Sequence, residues 1–228
     1  MAIGTPVVGG SAAAAAATAT GSSWTPGADE LLLFFAGTRA ASTPAKPVVT
    51  DSGGLVLTEL ADLASVAVRA TLYWARAESS PASRTTTVTS TGSTTVACQV
   101  VRISGAQVRL VSGSPNVNTA TDTSAGDPSV TLPNATTGSS LVVGGCWIDG
   151  NGNIVPVGSF GELIDTDVPG VGRMQIQYLA GAGTTCAWTT PAIVAIGIAV
   201  ELDDYIAGQP YAKRLGGVPG MALIPGVW

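Results

Sequence analysis

Residues 26–37 read PGADELLLFFAG, a turn sequence that runs straight into an apolar stretch. Pro26-Gly27-Ala28-Asp29 has turn chemistry. Residues 30–37 then continue without polar alternation, as expected for a strand covered on both faces. The rest of the chain reads outward from this unit, as short β-branched and apolar runs separated by Gly, Pro, Asn, Asp and Ser. Residues 47–50 lead into the turn Asp51-Ser52-Gly53-Gly54, and 55–60 return from it. Further strands are predicted over 67–77, 84–90, 94–103, 129–132, 140–148, 160–165, 173–179, 184–189 and 193–202. Helical signals are almost absent. Ala12 to Ala17 have helix propensity but lie between Gly9-Gly10-Ser11 and Thr18-Ala19-Thr20-Gly21. Residues 59–66 suggest a short turn at most.

The fold class predicted is all-β, a jelly-roll-like double-sheet β-sandwich with extended N- and C-terminal arms. Residues 1–24 are expected to be an N-terminal arm or first strand, the arm pairing with a neighbour. Residues 25–204 are expected to form one sandwich, and 205–228 an extended tail. A faint internal echo runs through the chain. ADELLLFFAG, GGLVLTEL, ATLYWARA and TTVACQVVRISGA are followed by GSSLVVGGCW, FGELID, RMQIQYLAG and TTCAWTT with AIVAIGIAVEL. It is read as two interleaved Greek keys within one domain, by duplication or by a shared answer to one packing problem.

Composition narrows the function. Only 11% of the 228 residues are charged, against a usual share of about 25%. A surface built of Thr, Ser, Gly, Ala and Asn lacks charge repulsion between copies, which suits a subunit of an assembly. The net charge is −5 and the ten Lys and Arg are scattered, so nucleic acid is not an expected partner. The opening MAIGTPVVGGSAAAAAATAT has no basic segment of an export signal. The longest strongly apolar run, 193–200, is half a membrane span, so a soluble chain without membrane contact is expected. Cys98, Cys146 and Cys186 are odd in number and widely spaced, and each sits in an apolar run. They are read as buried thiols, with a Cys98–Cys146 or Cys146–Cys186 bridge as the alternative.

The absence of histidine removes the usual general base, the Ser-His and Cys-His nucleophile pairs and most zinc sites. The acidic residues remain. Asp165 and Asp167 lie two apart, so on a strand they share a face; they read as a solvated strand end running into the Pro169-Gly170 turn, with cation binding or acid–base work as the alternative. Asp203-Asp204 reads as a strand boundary. Asp149-Gly150-Asn151-Gly152-Asn153 resembles the start of a calcium loop. Ile154 and Phe160 stand where that loop needs Gly and an acid, which favours a turn. No catalytic residue, cofactor site or metal site is assigned. Trp74, Trp147 and Trp188 read as core. Trp24 and Trp228 lie in irregular segments and are assigned to a contact surface, of subunits rather than sugar. With Tyr205, Tyr211, Leu215, Met221 and Leu223, which are costly to leave in water, they form the expected interface set.

The order GADELLLFFAG, VTDSGGLVLTEL, TLYWARA, TTTVTSTGSTTVACQVVRISGA and IAVELDD resembles a jelly-roll module recurrent in structural proteins of tailed bacteriophages. The closing KRLGGVPGMALIPGVW is similar to tails of small phage virion proteins. The resemblance implies a non-enzymatic capsid decoration (cement), head-fibre or tail-associated protein. It implies a homo-oligomer, often a trimer, contacting other virion proteins in a particle assembled in the host cytoplasm. The alternative is a tail-associated receptor- or glycan-binding module using exposed loops at 116–127 and 149–153.

Overall fold

The computed structural model describes residues 2–122, 127–168, 172–191 and 193–204. Every regular element among them is a strand and every pairing is antiparallel. In the first half these are β1 (Val7–Ala14), β2 (Thr18–Thr20), β3 (Leu31–Arg39), β4 (Val48–Asp51), β5 (Thr58–Ala64), β6 (Val68–Arg76), β7 (Thr86–Thr89) and β8 (Thr95–Ile103). A connector follows, holding β9 (Ala106–Val108), β10 (Leu110–Val111) and β11 (Ser114–Pro115). The second half contains β12 (Val117–Asp122), β13 (Ser129–Thr131), β14 (Leu141–Ile148), β15 (Val155–Pro156), β16 (Gly161–Val168), β17 (Gly172–Ala180), β18 (Thr185–Thr189) and β19 (Ala195–Asp204).

The two halves have the same topology. The first forms a large sheet β1-β8-β3-β6-β5 and a small sheet β2-β7-β4; the second forms β12-β19-β14-β17-β16 and β13-β18-β15. Adding eleven to each label of the first half gives the second. The echo in the sequence is therefore a repeat of architecture, with the halves consecutive and not interleaved. The connector adds only β9, which extends the large sheet of the second half beside β19.

Three cores result from strand alternation. Leu31, Leu33 and Phe35 of β3 point into a central core that also takes Leu141, Val143 and Trp147 of β14, so the two large sheets pack face to face. Leu32, Phe34 and Ala36 point the other way, into a core closed by the small sheet of the first half. Val142, Cys146 and Ile148 do the same beneath the second small sheet, around Trp188. This explains why 30–37 shows no polar alternation: a middle layer of four has no wet face. The two-sheet sandwich expected over 25–204 is replaced by four layers, small–large–large–small.

Of the two readings of the N-terminal segment, an arm that reaches a neighbour or a first strand, the structure has the first strand. Residues of β1 pair with this chain's own β8, with Ala12 opposite Cys98 and Ala14 opposite Val96. A run of six alanines is too short to hold a helix alone, and a partner strand overrides its propensity. Small residues are needed here because Trp24 lies against the strand; a Cβ on Gly10 would sit 2.5 Å from its indole. Residues 59–66, expected to turn, mostly form β5 on the edge of the first large sheet.

Candidate functional site

Both halves carry one charged motif on the same edge. β5 contains Glu59-Leu60-Ala61-Asp62 and β16 contains Glu162-Leu163-Ile164-Asp165, each with a register shift after the Glu. The bulge brings the Asp under an arginine of the neighbouring strand. Arg69 donates Nε to Asp62 Oδ1 at 2.9 Å and Nη2 to Oδ2 at 2.5 Å. Arg173 donates to Asp165 in the same fork, at 2.5 and 2.6 Å. Burial pushes the Asp62 carboxyl up. Hydrogen bonds from Arg69 and Thr71 and the charges of Arg69 and Lys46 outweigh it, so the net shift is downward. The hydrogen bonds it donates to Asp165 raise the Arg173 guanidinium. Asp165 is thus neutralised by a fixed cation, and Asp167 pairs in register opposite that same Arg173. Asp165 is therefore held in an ion pair, while Asp167 is exposed at the strand end, as expected of it.

Residues 149–153 form a turn between β14 and β15, with Gly150 at φ 136°. The Asp149 carboxylate accepts a hydrogen bond from Arg39 Nε of the other half. Its first ligand-like oxygen is committed to an ion pair across the molecule. Among the described residues no group of three or more His, Cys, Asp or Glu could hold a metal ion.

The interface set divides. Trp24, expected on a contact surface, is 8% exposed and donates Nε1 to Thr86 Oγ1 at 3.1 Å. Its backbone pairs with Arg84, so the irregular segment around it serves the chain's own core. Tyr205, Tyr211, Leu215, Met221, Leu223 and Trp228 lie outside the described residues. Trp147 and Trp188 are fully buried and Trp74 is half-buried against the central core, as expected. The three cysteines are free and buried. Burial raises all three thiols; for Cys186 the rise is to about 12, with a hydrogen bond from Gln177 pulling the other way.

The exposed loop expected at 116–127 is absent over its first seven residues. Asn116 is fully buried, and 117–122 form the edge strand β12. Asn116 belongs to a cluster missed from sequence. The carboxylate of Glu201, fully buried, accepts from Arg109 Nη1 and Asn116 Nδ2 at 2.5 Å each and from the Thr137 amide at 3.2 Å. The available signal was Glu201 itself, the lone charge inside AIVAIGIAVEL. A buried carboxylate demands partners. This one fastens the connector to β19.

The outermost faces are the most distinctive surfaces. On the first small sheet Thr18, Thr89 and Val48 form one row and Thr20, Thr87 and Thr50 the next, while Ala19, Val88 and Val49 point inward. Thr20 and Thr87 hydroxyls are 2.8 Å apart. The second small sheet turns out Ser129, Thr131, Thr185, Ala187, Thr189 and Val155. Neither set contains a charge. A groove of about 300 Å³ lies at the end of β19, between residues 2–6, Leu141, Tyr178 and Asp204. It stands where the chain runs on into residue 205.

Comparison with known proteins returns no matching family model, no matching curated protein and no matching solved structure.

Proposed function

We propose that this chain is a non-enzymatic structural protein of a bacteriophage particle, a capsid decoration or other surface protein that works by subunit contact. The observation that carries the reading is the pair of uncharged hydroxyl and valine faces at opposite ends of the four-layer stack. Like-charged copies of a protein with net charge −5 repel least where neither surface carries charge. Each face is only three short strands wide, well below the roughly 800 Å² per partner of a stable interface. Contact through them suits a lattice in which many weak contacts act together, with residues 205–228 adding area. The strand order of each half supports reading it as a jelly roll. Strands one, eight, three and six lie in one sheet and two, seven and four in the other, with the fifth transferred to the larger sheet.

The test is solution mass by light scattering, alongside circular dichroism, on three forms. These are the full chain, the chain ending at residue 204, and the chain carrying Thr87→Glu and Thr185→Glu. An oligomer that falls to a folded monomer in either altered form supports the reading. A mass unchanged by both alterations would overturn it.

A further inference from the structure

β3 and β14 hold the same place in the two large sheets, and residues at corresponding positions of the two strands are unlike each other. Leu31 pairs with Arg76 and Ile103, and Leu141 pairs with Ala180 and Leu202. Placing Leu31 on Leu141, a shift of 110 (141 − 31), superposes the two central strands. Phe35 then corresponds to Gly145, Gly37 to Trp147, and Arg39 to Asp149. Each of these residues touches its own counterpart. A Cβ on Gly145 would lie 2.4 Å from the Phe35 ring, and a Cβ on Gly37 would lie 2.5 Å from the Trp147 indole. Arg39 pairs with Asp149.

We propose that the large sheets form a heterotypic recognition surface, each shaped for the opposite half and against its own kind. Two first halves brought together would set Phe35 on Phe35 and Arg39 on Arg39, with an unfilled gap at Gly37. Two second halves would set Trp147 on Trp147 and Asp149 on Asp149, with a gap at Gly145. Overfilled positions, gaps and like charges each oppose such pairs. The partner this surface fits is therefore the other half of the same chain or the other half of a second copy. Two copies can associate through it only by exchanging halves, with the Ser104-Gly105 turn as the connection that would reopen.

The experiment uses two full-length variants, Gly145→Phe and Phe35→Gly. In the first both positions are large, and in the second both are small. The first half of either variant, however, complements the second half of the other. Refolded separately, each is expected to be less stable than the parent, with its denaturant midpoint lowered. Refolded together at equal concentration, they are expected to give a species holding both chains one to one, more resistant to denaturant than either alone. The chain carrying both substitutions is expected to return to the parent's mass and regain most of the lost stability. If Gly145→Phe fails to fold alone, its recovery in the mixture is the readout. A doubly substituted chain no more stable than the weaker single variant would overturn the complementarity. A mixture containing only the separately observed species would overturn the exchange between copies.

Discussion

Asp62 and Arg69 show how much one carboxylate depends on its partners. The folded-state carboxyl is held below its usual range, so its contribution is present above the unfolded value of about 3.9 and is lost as pH falls through the folded value. Asp62→Asn should therefore flatten the pH dependence of stability below about pH 4, measured by urea unfolding at a series of pH values. An unchanged acid slope would show that other carboxylates carry it. Glu201 is a harder case, because Arg109 and Asn116 both face it. Glu201→Ala removes the charged acceptor of both and leaves them only Asn134 and Ala135 carbonyls and a longer ion pair to Asp203, which should cost about 1–3 kcal/mol; a loss under about 1 kcal/mol in denaturant titration would contradict this. Sequence could suggest that Asp165 shares a face with Asp167. It could not show the bulge that puts Asp165 under Arg173, because a bulge depends on the partner strand.

At the scale of elements, the apolar strands were legible and the small-residue strand only as one of two alternatives. Residues 30–37, 67–77, 94–103 and 140–148 declare themselves, since long β-branched and aromatic runs have few other homes. β1 could be read from VVGGSAAA only as one of two alternatives, arm or first strand, because its side chains say little. Its identity lies in what it covers, the edge of β8 and the indole of Trp24. Gly10→Ala should press on that indole and cost about 1–3 kcal/mol. Its folded spectrum should be unchanged while its thermal midpoint drops; an unshifted midpoint would mean that Trp24 can move aside. The segment holding Trp24 was legible as irregular, but irregularity alone does not say which surface an aromatic meets.

For the molecule as a whole, the repeat was audible in the sequence but its consequence was not. Similar runs in two halves fit one sandwich or two, and only strand partners distinguish them. The halves share the central core, where Leu33, Phe35, Trp147 and Ile176 all lose their water. Neither large sheet can keep its covered face without the other, so unfolding should be a single event. Calorimetry should give one transition whose van't Hoff and calorimetric enthalpies agree. Two resolved transitions would mean that the halves are held together more loosely than their contacts imply.

The buried thiols turn this expectation into a kinetic measurement. Cys98 lies beneath one small sheet, Cys146 lies beneath the other, and Cys186 is on that second sheet's inner face. A thiol reagent in native buffer can modify none of them until the protein opens. The chain thus carries a clock in each outer compartment. If both compartments label at one common rate, opening is shared across the molecule. If Cys98 reacts first, the first half breathes by itself.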